Sequence, residues 1–111
     1  MSTLSTHALD TMHGRPAAGL PVVLSGPSGE MARGTTNADG RCPDLAPAEL
    51  GPGRYSLRFA VADYFRALGV ALADPPFLDQ VTVDFGIAAD GGHYHVPLLV
   101  SPYGYSTYRG S

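Results

Sequence analysis

The sequence predicts an all-β domain, with two packed antiparallel sheets of about seven or eight strands and one short helix. Turn signals rich in Gly, Pro, Asn and Asp recur about every 8–14 residues, which is the spacing typical of a β-sandwich or barrel. The runs between these turns alternate apolar and polar residues, as strands with one buried face do. At 111 residues the chain can bury one core, so we expect a single domain over residues 1–111.

Six runs carry the strand signal, and alternation is clearest in the fourth and fifth of them. Pro97 lies inside the sixth run. Because proline cannot donate a hydrogen bond to a ladder, we expect it on a strand's free side, at a bulge or at a rim. The predicted strands are Ser5–Leu9, Pro21–Leu24, Ala32–Thr36, Tyr55–Val61, Gln80–Ala88 and Tyr94–Val100.

The segment Asp63–Leu72 has the periodicity of a helix instead. Its large apolar residues fall on one face of a short amphipathic helix. Asp63 is the expected N-cap, and Gly69 is expected to weaken the helix or end it early.

Composition excludes several classes of function. The formal charge of −3 gives no reason to expect a nucleic acid or membrane partner, and the absence of lysine excludes a lysine Schiff base. The single cysteine, Cys42, cannot form an intrachain disulfide and fits a reducing compartment. No secretory signal is visible, and no apolar run approaches the roughly 20 residues that span a bilayer. We therefore expect a cytoplasmic protein.

Histidines supply the clearest chemical signal. His93 and His95 are two residues apart in a predicted strand, so they face the same side. Such a pair suits metal ligation or shared acid–base work, but it is equally typical of a solvated strand face. A third metal ligand would have to come from elsewhere, and His7 on the first strand is the obvious candidate. His13, in a Gly-Pro turn, is interpreted as a turn residue.

Arg41 and the C-terminus supply further candidates. Arg41 follows a tight turn, so it either projects from that turn into a site or is an exposed surface charge. The last residues combine tyrosine, serine, threonine and arginine on a segment that looks like sheet rather than a frayed tail. Cys42 lacks any local signature of a catalytic thiol.

Four stretches resemble the motifs of one enzyme family, the 5-hydroxyisourate hydrolases, which are the transthyretin-like enzymes of urate breakdown. The resemblance covers essentially the whole chain, and the terminal Tyr-Arg-Gly-Ser is its most specific part. The matching stretches are Ser5-Thr-His-Ala-Leu-Asp-Thr with Gly14-Arg-Pro-Ala, Thr36-Asn-Ala-Asp-Gly-Arg, His93-Tyr-His-Val-Pro-Leu-Leu, and Tyr105-Ser-Thr-Tyr-Arg-Gly-Ser.

The resemblance implies a transthyretin (prealbumin)-like β-sandwich and a hydrolase that opens the ring of 5-hydroxyisourate. It implies a homotetramer, a dimer of dimers with sites in the channel between dimers, and neither a cofactor nor a metal. The residues that correspond to the family's catalytic positions are His7, Arg41, His95 and Ser111, and those that correspond to substrate-binding positions are Tyr108, Arg109 and Gly110.

Two alternatives stay open beside the hydrolase. The first is a transthyretin-like carrier of a small molecule without turnover, which the hydrolase-type tail disfavours. The second is a zinc-binding hydrolase that uses His7, His93 and His95, since three imidazoles with an open fourth position resemble a catalytic zinc site. Under the family resemblance His93 is a neighbour of the site rather than a catalyst.

Overall fold

Two four-stranded sheets share one hydrophobic core in the computed structural model, which describes residues 1–45 and 49–110. One sheet has the strand order β2-β1-β7-β8 and the other has the order β4-β3-β5-β6. The predicted β-sandwich of eight strands with one short helix is therefore confirmed. The elements are β1 (Ser2–Asp10), β2 (Arg15–Pro16), β3 (Pro21–Gly26), β4 (Gly29–Thr35), β5 (Gly53–Phe59), α1 (Val61–Ala67), β6 (Val81–Ile87), β7 (Gly92–Ser101) and β8 (Gly104–Thr107).

One strand pair departs from the predicted antiparallel sheets. β1 and β7 pair in parallel, in a register that places Ser5 beside His95 and His7 beside Pro97. Parallel strands need a long connection, and here the second sheet lies within that connection. The chain returns from it to the first sheet and runs beside β1 in the same direction. The prediction of wholly antiparallel sheets was wrong here, and the parallel pair is what brings the first and last histidines of the sequence together.

The core consists of side chains that point inward from both sheets. Leu24 and Leu57 of one sheet and Leu98 of the other are fully buried, as are Phe59 and Phe65. Each such side chain stabilises the fold by about 1.5–3 kcal/mol relative to an exposed one. Because side chains alternate between the two faces, the outward residues of each strand are not part of the core and are available to form a site.

The helix begins earlier than predicted. Val61 is its first residue, and Ala60 holds the N-cap position without a side-chain hydrogen bond, so the prediction of Asp63 as N-cap was wrong. Asp63 instead lies in the first turn, where a carboxylate complements the helix dipole. Gly69 ends the helix as predicted, because its φ of +82° lies in the left-handed region that glycine adopts readily. Among the described residues, no helix is long and apolar enough to cross a bilayer.

Pro97 lies at a gap in the ladder between β7 and β8. Continuous pairing ends at Leu98 and Thr107, and a single bridge between His95 and Gly110 follows in the same register. Because proline has no N–H, β7 cannot complete the ladder at this point. Pro97 thus lies in an interior strand, and the expected irregularity is the interruption of the ladder with the tail between Leu98 and His95.

Candidate active site

The paired strands β1 and β7 present polar side chains on their outer face. On β1 these are Thr3, Ser5 and His7, and on β7 they are His93 and His95. The inward residues of the same strands are buried, so the two-residue period separates the core from this polar row. The prediction that His93 and His95 share a face is confirmed.

Arg41 reaches this row from a different part of the chain. The segment that contains it runs along the edge of β1, where Arg41 and His7 form an isolated antiparallel bridge. The Ala8 N–H donates a hydrogen bond of 2.8 Å to the carbonyl oxygen of Gly40. These two contacts hold Arg41 directly beside His7. The turn therefore brings Arg41 to the edge of the histidine row.

The turn before Arg41 owes its shape to local chemistry. The side-chain oxygen of Asn37 accepts hydrogen bonds of 3.0 Å from the N–H groups of Asp39 and Arg41. Gly40 has a φ of +77°, and a Cβ at this position would overlap the carbonyl oxygen of Ala8. A glycine is therefore required both for the backbone conformation and for the close approach to β1.

A hydrogen bond defines the protonation of His7. Its Nε2 lies 2.8 Å from the carbonyl oxygen of Asp39. A carbonyl oxygen can only accept, so Nε2 carries the proton. In the neutral ring Nδ1 is then the nitrogen with the free electron pair, which makes His7 able to accept a proton there or, once protonated, to donate one.

His95 is half-buried and has the electrostatics of a neutral base. Burial and the nearby positive charge of Arg41, with smaller contributions from His7 and His93, lower the pKa of His95 below its ordinary value of 6.5. The ring is therefore neutral at neutral pH and can take a proton from water. Its Nδ1 lies 2.7 Å from the hydroxyl oxygen of Ser5.

The C-terminal tail runs back along β7 and reaches His95. The Gly110 N–H donates a 2.8 Å hydrogen bond to the His95 carbonyl oxygen. A Cβ at Gly110 would overlap Cδ2 of the His95 ring and lie 3.1 Å from its Cγ, so this position accommodates only glycine without displacement. The short strand β8 confirms the prediction that the tail is part of a sheet. Tyr108 is largely exposed, and Ser111 lies outside the described residues.

Arg109 points away from the histidine row. Its guanidinium lies 4.0 Å above the ring of Tyr94 and donates a 3.3 Å hydrogen bond to the carbonyl oxygen of His93. Together with Phe85 and Thr107, among others, Arg109 lines a cavity of about 260 Å³ between the edge strand β6 of one sheet and β7 with the tail of the other. The structure therefore brings His7, Arg41 and His95 together with Gly110, and it places Arg109 on the other side of the tail.

Two other residues noted in the sequence lie outside the row. His13 is in a turn as predicted, and its Nδ1 is 2.6 Å from the buried carboxylate of Asp10. Cys42 is a buried free thiol whose pKa is raised by burial, so it is not a ready nucleophile.

Ser5 was missed by the sequence reasoning. Its signal was its place two residues before His7, on the same face of a strand. Its importance depends on a partner strand that begins about ninety residues later.

The zinc alternative gains no support from the donor positions. Within residues 1–45 and 49–110, no group of three or more histidine, cysteine or carboxylate side chains is arranged to hold a metal ion.

Comparisons with known proteins identify one family. The sequence profile of the HIUase/Transthyretin family matches residues 4–110. The chain is 52% identical to the 5-hydroxyisourate hydrolase of Caulobacter vibrioides, and the match covers 100% of both chains. It matches the structure of Klebsiella pneumoniae 5-hydroxyisourate hydrolase with a TM-score of 0.87 and 40% identity over 100% of both chains. Sea bream transthyretin in complex with thyroxine matches with a TM-score of 0.84 and 28% identity, over 96% of this chain and 93% of the other.

Proposed function

The chain belongs to the HIUase/Transthyretin family, and we propose that it is a hydrolase that converts 5-hydroxyisourate to 2-oxo-4-hydroxy-4-carboxy-5-ureidoimidazoline in urate breakdown. Identity to enzymes of that name is about half over the full length, whereas identity to the thyroxine-binding relative is 28%. The carrier alternative is therefore disfavoured.

One observation carries the proposed site: three segments distant in sequence bring His7, Arg41 and His95 together. β1 supplies His7, the turn along its edge supplies Arg41, and the parallel partner strand supplies His95. The charges of Arg41 and His7 both act on the pKa of His95, so the three groups lie within one electrostatic environment. Ring opening at an amide-type bond needs a base for water, a stabiliser for the oxyanion and a proton for the leaving nitrogen.

We propose that His95 activates the water. Its lowered pKa keeps the imidazole neutral at working pH, and a neutral imidazole can remove a proton as the water oxygen attacks C6 of the substrate. The guanidinium of Arg41 stays protonated and presents a planar set of donors to the oxygen that becomes negative. Arg41 would thus serve both reacting centres, since the same positive charge stabilises the oxyanion and disfavours a proton on His95.

We propose that His7 protonates the leaving nitrogen, N1, when the N1–C6 bond breaks. The Nε2–H of His7 is held by the Asp39 carbonyl oxygen. Once Nδ1 has taken a proton from solvent, His7 keeps that bond and donates the Nδ1 proton to N1, so that the ring returns to its neutral form without turning.

The tail completes the proposed site. We propose that Tyr108, Arg109 and Gly110 contribute to substrate binding and that Ser111 acts with the catalytic histidines. The contact of Gly110 with the His95 ring supports this proposal, because it places the end of the tail against the proposed base.

We propose that the protein is a homotetramer, a dimer of dimers, with each site built from more than one subunit. Tyr103 is 71% exposed and Tyr108 is 59% exposed, and exposed aromatic side chains are typical of protein interfaces. Light scattering coupled to size exclusion tests the oligomeric state directly. The free thiol of Cys42 fits the proposed cytoplasmic location.

The central experiment measures kcat/KM on freshly generated 5-hydroxyisourate, with the uncatalysed decay subtracted. His7→Ala, Arg41→Ala and His95→Ala should each lower kcat/KM by about 100- to 1000-fold. Ser28→Ala, in the exposed turn between β3 and β4, serves as the control and should match the wild type. If the wild-type protein does not accelerate substrate loss at any of several pH values, the proposed function is wrong.

A further inference from the structure

Four side chains on the outer face form one continuous hydrogen-bonded row. Oγ1 of Thr3 lies 2.6 Å from Nδ1 of His93, and Nε2 of His93 lies 2.9 Å from Oγ of Ser5. The same Ser5 oxygen lies 2.7 Å from Nδ1 of His95. The parallel register produces this arrangement, because it sets Thr3 beside His93 and Ser5 beside His95.

The partner of His95 in this row is a hydroxyl group rather than a carboxylate. Within the described ranges, the one histidine that has a carboxylate oxygen within 4 Å is His13. In the familiar serine hydrolase arrangement a carboxylate holds the catalytic histidine but takes no proton. A hydroxyl group both donates and accepts, so Ser5 can receive a proton from one histidine while it releases its own to the other.

The row can exist in two proton arrangements. In the first, the Nδ1–H of His95 donates to Ser5, the Ser5 hydroxyl donates to Nε2 of His93, and the Nδ1–H of His93 donates to Thr3. This arrangement leaves Nε2 of His95 with a free electron pair. In the second, every hydrogen bond is reversed, so that Thr3 donates to His93, His93 donates to Ser5, and Ser5 donates to His95, whose Nε2 then carries a proton.

We propose that Ser5 and His93 relay the proton that His95 takes from the reacting water to bulk solvent, an inference that rests on the proposed hydrolase function. One proton enters at Nε2 of His95, each member of the row passes its own proton onward, and one proton leaves to water at the His93–Thr3 end. The number of protons on the row is unchanged, and only the direction of its hydrogen bonds differs afterwards. After product release the Nε2–H of His95 gives its proton to water that enters the site, and one proton returns from solvent at the Thr3 end, which restores the first arrangement.

The surroundings of the two histidines favour this direction of transfer. A positive charge on half-buried His95 would face Arg41 and His7, together with His93 itself. His93 is exposed, so a charge that arrives there is solvated by water and is released easily. The relay therefore lets His95 act as a base without retaining a charge beside the arginine that the oxyanion needs.

Variants of His93 separate proton transfer from simple support. His93→Ala removes the relay, whereas His93→Gln places an amide near the position of Nε2 that can hydrogen-bond to Ser5 but cannot carry a proton through. We expect both to lower kcat by about 100-fold, the lower end of the contribution of positioned proton transfer, with little change in KM. Imidazole added to the buffer should restore much of the rate of His93→Ala and leave the wild type unchanged, after subtraction of the buffer-catalysed decay.

Variants of Ser5 provide a matched pair. Ser5→Ala should slow kcat to a similar extent, and Ser5→Thr, which keeps the hydroxyl group, should restore most of the rate. A wild-type rate in His93→Gln, or a loss in His93→Ala that imidazole does not relieve, would assign the row a structural role and overturn the relay.

One further test uses the wild-type protein, so its result does not depend on whether a variant folds. In mixtures of light and heavy water, kcat should depend on the deuterium fraction along a curve, since several protons move in the relay. A straight line would contradict it. In every case an active wild-type enzyme separates failure of the relay from failure of the proposed function.

Discussion

The sharpest prediction concerns Gly110, whose contact with His95 connects the tail to the proposed base. In Gly110→Ala the new Cβ would overlap Cδ2 of the His95 ring and lie 3.1 Å from Cγ, whereas ordinary contacts of a Cβ begin at 3.4 Å. The ring and the tail must therefore separate by a distance on the order of 1 Å, and a misplacement of that size can cost about 100-fold in rate. We expect kcat/KM to fall by about this factor.

Stability should change much less than activity in this variant. A single bridge holds Gly110 to β7, and the core lies on the other face of that strand, so the tail can move without opening the sandwich. The free energy of unfolding should fall by no more than about 1 kcal/mol, at the low end of the cost of overpacking.

Gly104→Ala is the matched control for Gly110→Ala. It lies in the same terminal hairpin, and its added Cβ would meet its nearest neighbour, the Ser101 hydroxyl oxygen, at an ordinary 3.9 Å. Steady-state kinetics on fresh substrate and thermal unfolding should be measured on both variants. If Gly110→Ala keeps kcat/KM within about twofold of Gly104→Ala, the contact between tail and base is not needed, and the reasoning fails.

Three further predictions test charge, burial and the tail. Burial and then the charge of Arg41 lower the pKa of His95. Arg41→Gln should therefore move the acid limb of the pH profile of kcat/KM to higher pH, toward 6.5. An acid limb at the wild-type position in a pH series would contradict this. Tyr64→Phe should lower the free energy of unfolding by about 1–3 kcal/mol, because the hydroxyl donates 2.7 Å to buried Asp10. Burial raises the pKa of Asp10, but hydrogen bonds from Tyr64 and His13 outweigh it and leave the pKa below 3.8. The stability lost in Tyr64→Phe should therefore shrink when unfolding is measured at pH values below 3.8, where Asp10 becomes protonated. Deletion of residues 108–111 should abolish most activity while circular dichroism and the melting temperature stay near wild type; full activity would refute the proposed placement of the tail.

The sequence could predict the local features of the site because local chemistry decides them. The turn before Arg41 depends on Asn37 and Gly40, which lie within four residues of it, and the helix ends at a glycine, Gly69, with a positive φ. The helix start was misplaced because no side chain caps it. Val61 fits the alternation of the preceding strand as well as it fits a helix, so only packing decides between the two.

The contacts between distant segments could not be predicted in the same way. Periodicity shows that Ser5 and His7 share a face of their strand and that His93 and His95 share a face of theirs. It gives neither the partner strand nor the direction of pairing. A parallel pair of β1 and β7 places Ser5 between the two later histidines, whereas an antiparallel pair would change which residues face each other along the whole strand. The hydrogen-bonded row is therefore a property of topology, and this is why the place of Ser5 on the face of His7 did not reveal its partners.

The tail shows that a sequence motif also leaves the placement of its single residues undetermined. The family motif treats Tyr108 to Ser111 as one functional unit, but an extended chain sends neighbouring side chains to opposite sides. Gly110 accordingly lies against His95, while the guanidinium of Arg109 stacks on Tyr94 and binds the carbonyl oxygen of His93. For Arg109 to touch a substrate beside His95 in the same subunit, it must first leave Tyr94. Its contribution within one subunit is thus to hold the tail in the register that puts Gly110 against the base, so Arg109→Ala should lower kcat/KM on fresh substrate as Gly110→Ala does. A value within about twofold of the wild type would contradict this role.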